Sequence, residues 1–371
     1  MSKVNVVRIS SLPNESNPGA GLAALHLSNS KSLYNTVFSY ISSENFLGSH
    51  DFKLHLLRFD NPTMPKKRSG LKFYLLQVKR IYCIISFSLN FCFKAKLSNA
   101  NILHLHSPLH ILIAWWGILN KIPTFVSIHG TDSTRVLGSK FYRILFSPVK
   151  NILCVSSVDV EKFKKTFPES NVRLISNGVD YDFFKPKRYY SKENTIIACG
   201  SLRWHKDFET LITACTEIFK TVEDWKLKII GQGKDRSKLE RLISFYGMEN
   251  RISLLGVLDR NSVAEQFRKA KIFVISSVTE GLPKVLLEAM ASKCACVSTD
   301  VGDCRRILDG CGLVIPKQNP ELLSDALLEL INDDDLRVDL ANAGQHVASE
   351  YSWDNYCMRH DQIYRSILSK S

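Results

Sequence analysis

No uninterrupted apolar run in the 371 residues reaches the roughly 18 that a membrane-spanning helix needs, so a helical span is not expected. The opening residues, MSKVNVVRISSLP, lack the apolar block and cleavage site of a secretory signal, and the mature chain is expected to begin at Met1. The ten cysteines form no C-x-x-C pair. Cys154 and Cys199 fall in apolar, strand-like runs where a thiol acts as a small hydrophobe, which fits a reducing cytoplasm. Cys294, Cys296, Cys304 and Cys311 cluster, but not at the spacing of a zinc site. Low-complexity segments and short repeats are also missing. Acidic residues are scarce in the first half: up to Tyr190, 25 Lys and Arg face 10 Asp and Glu, whereas the remainder carries 24 against 26. The basic excess therefore belongs to the first half, which points to a polyanionic partner there: nucleic acid, an anionic membrane face or a phosphorylated substrate.

What is present is an ordinary globular composition, 45% hydrophobic and 23% charged, on a chain long enough for about two domains. Strand-length apolar runs alternate with longer amphipathic stretches. VNVVRIS, KLHLLRF, NILHLHS, PTFVSIHG, NILCVSS and VRLIS are followed by TIIACGS, WKLKIIG, RISLLG, KIFVISS, CACVSTD and CGLVIP. This alternation predicts parallel sheets covered on both faces, and twelve strands are many for one sheet. The polar, basic, Pro-containing stretch FFKPKRYYSKENT is the natural break, giving two doubly wound α/β domains. Residues 65–100 interrupt the rhythm, with Lys66, Lys67, Arg68, Lys72, Lys79, Arg80, Lys94 and Lys96 interleaved with aromatics. They suit either a helix lying in a lipid headgroup layer or a domain helix on its sheet with snorkelling lysines; periodicity alone leaves both open. HILIAWWGILNK, with Trp115 and Trp116, reads as core.

The chemistry concentrates in SSVTEGLPKVLLEAMASKCACVST, where Glu280 and Glu288 are separated by seven residues. KIFVISS predicts a buried strand, VTEGLP a turn at its carboxyl end, and KVLLEAMA a helix beginning near Pro283. A helix start at that point turns backbone N–H groups and partial positive charge toward a phosphate or pyrophosphate near Gly281, Leu282, Pro283 and Lys284. A carboxylate accepts two hydrogen bonds at once, which suits the vicinal hydroxyls of ribose or a sugar ring. In CGSLRWHKDFETLITA, a strand leads through Gly200 into a loop whose Arg203 and Lys206 are suited to two phosphates, with Trp204 and His205 read as loop packing. FVSIHGTDS sets His129 at a strand's carboxyl end, followed by Gly130 and Asp132. His104 and His106 are assigned packing and positioning. Gly19 and Gly21, between the first strand and first helix, permit close backbone approach to a phosphate or sugar.

EGLPKVLLEAMA resembles the E-x7-E motif of retaining, family 4-type glycosyltransferases with the GT-B fold, such as those of bacterial polysaccharide and O-antigen biosynthesis. The resemblance extends over nearly the whole chain, most specifically from Asn177 to Gly312. It implies two Rossmann-like domains with an interdomain cleft: residues 1–187 binding acceptor, 188–352 binding the nucleotide-sugar donor, and a closing helix, 353–371, returning to the first domain. Glu288 would hold the nucleotide ribose, Glu280 and His129 the donor sugar, and Gly19 and Gly21 would belong to the Gly-rich loop. Lys206 matches the family's pyrophosphate-binding lysine. Ser201 stands where many members have Arg, making Arg203 the candidate substitute, and Arg306 stands where many have Glu. SNGVDYDFF matches the loop leaving the first domain, with Asn177 and Gly178 as turn residues. The implied reaction moves a sugar, with retention and without metal or further cofactor, from a UDP- or GDP-sugar to a saccharide acceptor. That acceptor is expected to be polyprenyl-pyrophosphate-linked, at the anionic inner face of a bacterial cytoplasmic membrane, where the protein would be peripheral.

Several features compete. Asp180 and Asp182 form a D-x-D in the interdomain loop, and Asp333 to Asp335 read as a solvated helix start. IIGQGKDRSK lacks the third glycine and downstream acid of a dinucleotide fingerprint. A nucleic-acid partner lacks any supporting motif. A nucleotide-sugar epimerase and a non-catalytic GT-B binding protein are the alternative functions.

Overall fold

A computed structural model describes residues 4–11, 26–27, 33–40, 53–56, 75, 82, 84–89, 91–92, 100–129, 132–187 and 191–369. Two units divide the chain, one of Met1–Ser176 with Tyr356–Ser371 and one of Asn177–Asn355.

The first unit is built on seven strands: β1 (Val4–Ser11), β2 (Leu33–Tyr40), β3 (Lys53–Leu56), β4 (Ile102–Leu105), β5 (Thr124–Ile128), β6 (Asn151–Cys154) and β7 (Asn171–Leu174). All pairings are parallel, in the order β3-β2-β1-β4-β5-β6-β7, so the winding direction reverses between β1 and β4. The central strands are buried along their whole length, as continuous apolar runs require once helices cover both faces. Strand β2 has no counterpart among the runs read from the sequence, because Asn35, Thr36 and Ser39 break the apolar pattern of LYNTVFSY. One side of the sheet packs through Val7, Leu105 and Val126 against helical residues 84–89 and 91–92, the helix Ile111–Leu119 and, through Phe146, the helix Lys140–Phe146. Phe87 and Phe91 are the inward residues of the first of these segments. Trp115 and Trp116 are half-buried at its margin, and Trp115 Nε1 donates to the Leu145 carbonyl at 2.8 Å. The helix Trp353–Leu368 contributes its residues from Tyr356 onward to this unit.

The second unit has six parallel strands, β8 (Glu193–Cys199), β9 (Lys226–Ile230), β10 (Ile252–Gly256), β11 (Ala270–Ile275), β12 (Ala295–Thr299) and β13 (Leu313–Ile315), in the order β10-β9-β8-β11-β12-β13. Its winding reverses between β8 and β11. One apolar layer forms around Phe208, Leu227 and Val297, the other around Phe267, Phe273, Leu286 and Met290. Cys294, Cys296, Cys304 and Cys311 are buried in the second layer and unbridged, the Cys294 thiol donating to the Phe267 carbonyl at 3.0 Å. Burial pushes the Cys304 thiol up to about 12 and Cys311 to about 11, consistent with packing and not chemistry.

Asp180 caps the short helix Tyr181–Phe184 and pairs with Arg260 at 2.7 Å, while Asp182 pairs with Lys185. Asp333 caps the helix Asp334–Glu350. At Gly178 a Cβ would lie 2.4 Å from the Trp353 ring, so packing excludes a side chain.

Candidate active site

In a doubly wound sheet, ligand-binding loops gather at the carboxyl ends of the strands where the winding reverses. In the second unit those ends belong to β8 and β11, and each is followed by a segment singled out in the sequence.

After β8, the chain passes Gly200 into Ser201–Leu202–Arg203 and the single turn Trp204–Lys206, closed by Asp207 in a left-handed conformation. Asp207 then caps the helix Phe208–Ile218 through the Thr210 N–H. After β11 come Ser276, Ser277 and the turn to Glu280. Adjacent in the sheet though 74 apart in sequence, the two loops meet: Lys206 Nζ lies 2.5 Å from Glu280 Oε1, both side chains mostly shielded from water. Ser277 Oγ donates to the same carboxylate oxygen at 2.8 Å, and Ser276 Oγ to the Lys206 carbonyl at 2.9 Å. The Val278 N–H donates to the His205 carbonyl at 2.8 Å. Thr299 Oγ1, at the end of β12, holds the Ser277 carbonyl at 2.7 Å. These two serines and Thr299 were not assigned roles from the sequence. The serines follow β11 and Thr299 ends β12, and only the parallel ladder brings them to the partners they bond.

The helix Lys284–Ala291 begins one residue beyond Pro283, its N-cap. Lys284 and Glu288 are one turn apart and half-buried, hence on one face. Burial pushes the Glu288 carboxyl up, opposed by Lys284 and Arg260 and reinforced by Asp180. Burial lowers the Lys284 ammonium, opposed by Glu288. Leu282 packs on the core layer, whereas Gly281 is exposed, its carbonyl accepting from the Asp303 N–H at 2.9 Å. Gly302 has φ +53°, and a Cβ there would lie 2.0 Å from the Gly281 carbonyl oxygen.

Arg203 is exposed and lines an open hollow of ≈ 770 Å³ with Ser201, Trp204, His205, Gln232, Gly233, Lys234 and Arg236. Ser201 and Arg203 thus share one wall. Trp204 does not pack as expected from sequence; it is 64% exposed on this hollow. The IIGQG loop is explained by its neighbours. Gly231, at φ +139°, would place a Cβ 1.9 Å from the Gly200 carbonyl oxygen, and Gly233 one 2.1 Å from that of Leu202. Arg306 donates to Asp303 at 2.8 Å and to the Tyr351 hydroxyl at 3.0 Å, tying the turn after β12 to the end of a helix.

His129 belongs to the first unit, immediately after β5. Its backbone N–H donates to Asp132 Oδ2 at 3.2 Å, and Arg135 donates to Asp132 Oδ1 at 3.0 Å. Burial raises the Asp132 carboxyl to about 6. The His129 ring stacks at 6.2 Å on His106, itself 4.1 Å from His104. His104 Nδ1 lies 2.6 Å from the Tyr364 hydroxyl and its Nε2 2.8 Å from Ser127 Oγ, and Arg8 donates to Tyr364 at 2.9 Å. Burial drives both His104 and His106 well below the usual imidazole range, so both rings are neutral near pH 7. Gly19 and Gly21 lie outside the described residues.

Two parallel-sheet α/β units of this kind define the GT-B class. The family described as "Glycosyl transferases group 1" matches residues 180–347, and "Glycosyltransferase Family 4" matches residues 47–183. The chain is 29% identical over 257 residues to an uncharacterized glycosyltransferase of Methanocaldococcus jannaschii, covering 67% of this chain and 69% of that protein. It is 30% identical over 162 residues to the amylovoran biosynthesis glycosyltransferase AmsD of Erwinia amylovora, covering 43% of this chain and 45% of that one. Its fold matches Anabaena HepE in complex with UDP at TM-score 0.74 and 14% identity, over 98% and 100% of the two chains. The protein belongs to the group 1, family 4-type glycosyltransferases and is a transferase enzyme.

Proposed function

We propose that the protein moves a sugar, with retention of anomeric configuration, from a nucleoside-diphosphate sugar, UDP- or GDP-linked, to a saccharide acceptor of bacterial surface polysaccharide synthesis. The observation that carries this reading is the pairing of Lys206 with Glu280 at the reversal point of the second sheet, beside the helix that presents Glu288. A cation and a sugar-type acceptor group held within one contact suit a diphosphate joined to a sugar. Lys206 and Arg203 would neutralise the diphosphate, aided by the N–H groups and partial positive charge of the helix starting at Lys284. Glu288 would hold the ribose hydroxyls, and Glu280 and His129 would orient the sugar. The sugar–phosphate C–O bond breaks as the acceptor oxygen bonds to the same carbon from the same face. The acceptor proton passes to a β-phosphate oxygen, and nucleoside diphosphate leaves. No step requires a metal. The named process of the Erwinia relative supports a polysaccharide acceptor, and the basic first half supports one carried on a lipid pyrophosphate at a membrane's inner face.

The test is a thermal-shift titration with UDP-, GDP-, dTDP- and CMP-sugars without metal, repeated on Glu288→Ala. One diphosphonucleotide series should stabilise the wild type and lose most of its effect on the variant. Product NMR with the donor so identified should show the donor's anomeric configuration. Stabilisation by none of the series, or an inverted product, overturns the corresponding half of the proposal.

A further inference from the structure

Among the described residues of the first unit, large hydrophobic side chains stand exposed at Leu75, Tyr82, Ile85 and Leu89, at Leu112 and Leu119, and at Phe141 and Ile144. The segments carrying most of them are neighbours. Phe87 packs against His110 at 4.9 Å and Phe91 edge-on against Trp116 at 5.9 Å, while Trp115 bonds the Leu145 carbonyl. Each segment thus turns one apolar side to the core and another outward. A helix on a sheet normally shows water a polar outer face, yet here Leu119 is 76% exposed, Ile144 69% and Phe141 67%. Isolated exposed hydrophobes are ordinary; a row across adjacent helices marks an interaction surface.

Charge selects the occupant. Between Asp60 and Asp132 the chain contains no acidic residue and nine basic ones. Lys121, at the end of Ile111–Leu119, and Lys140, at the start of Lys140–Phe146, are exposed beside the apolar row. A second copy of the chain seated symmetrically would oppose like charges, which disfavours it. An anionic headgroup layer over acyl chains takes basic rims and apolar centres together. No helix among the described residues is long and apolar enough to cross a membrane, so attachment would be at the surface.

We propose that this face, presented by helical residues 84–89, Ile111–Leu119 and Lys140–Phe146, docks the protein onto an anionic lipid bilayer with Leu119, Phe141 and Ile144 entering the acyl boundary. This deepens the acceptor part of the function proposed above and rests on it only in explaining why docking is useful; lipid binding and donor binding are measured separately.

The experiment is vesicle flotation of the full chain with phosphatidylcholine alone and with added phosphatidylglycerol, comparing wild type, Phe141→Ser/Ile144→Ser and Lys121→Glu/Lys140→Glu. The wild type should float with anionic vesicles only, and each double variant should lower the bound fraction by about fivefold or more. Nucleotide-sugar thermal shifts should be unchanged in both variants. Should the serine variant misfold, Phe141→Cys bearing an environment-sensitive dye gives a second readout. Its emission should shift blue on anionic vesicles, while the same dye at Phe245→Cys, in the second unit, should not respond. Flotation independent of anionic lipid, or unaltered in both variants, overturns the proposal. So does a lipid-free dimer, seen by analytical ultracentrifugation, that the serine substitutions disperse. Failure of donor binding with flotation intact would remove the functional reading and leave the docking face standing.

Discussion

Lys206 and Glu280 neutralise one another across 2.5 Å while mostly shielded from water, where stranding either charge is costly. Glu280→Gln removes that competitor for the ammonium and keeps the shape. Nucleoside-diphosphate affinity should hold or tighten, while turnover falls by about 10²- to 10³-fold as the group proposed to orient the sugar loses its charge. Calorimetry alongside initial rates separates the two effects, and a large loss of nucleotide affinity would refute the assignment. His110 makes a pH prediction. Fully buried against Phe87, it has its pKa lowered by burial from 6.5 to about 4. The folded state therefore resists protonation that the unfolded chain accepts. Stability is complete above about 6.5 and falls as pH drops toward 4, by about 3 kcal/mol for this one group, at ~1.4 kcal/mol per pKa unit. Denaturant midpoints at pH 7.5 and 4.5 should fall less for His110→Phe than for wild type.

At the scale of elements, the site is a set of loops braced against one another. The loop after β9 reaches the loop after β8 only because Gly231 and Gly233 carry no Cβ, and the turn after β12 reaches Gly281 only because Gly302 also lacks one. Gly302→Ala combines a left-handed backbone, costing roughly 1–2 kcal/mol for a residue with a side chain, with a 2.0 Å clash on the Gly281 carbonyl oxygen. Donor affinity should fall about tenfold or more as the turn shifts away from its bonded geometry. Calorimetry on the folded variant checks this, and unchanged affinity would mean that the turn does not position the donor groups. The two glutamates were legible because a strand end, turn and helix start lie in one contiguous stretch. Their partner was not, because Lys206 and Glu280 meet only through strand neighbours 74 residues apart.

At the scale of the whole molecule, each unit has its own polar tie. In the first, the Tyr364 hydroxyl, near the chain's end, joins Arg8 of β1 and His104 of β4 at the sheet's reversal point. Tyr364→Phe should cost about 1–3 kcal/mol there, the penalty for leaving buried polar partners unmet. Hydrogen exchange should quicken at β4 amides and stay unchanged at β8 and β11, with donor-induced protection of the second unit retained. A uniform loss across both sheets would show that the tie supports the entire chain.

The sequence by itself determined the class of fold and singled out the segment proposed to carry the chemistry. Unbroken apolar runs alternating with amphipathic stretches allow little besides doubly wound parallel sheets, and the E-x7-E segment carries its own local geometry. Tertiary structure alone decided the pairing of Lys206 with Glu280, the serine and threonine hydroxyls around them, the purpose of Gly231 and Gly302, and the strand LYNTVFSY. It also decided which apolar residues of the basic first half face outward. The physical reason is common to all of these. A parallel ladder joins segments far apart in the chain, and side-chain periodicity, the same for a core face as for an outward one, does not record what a face will meet.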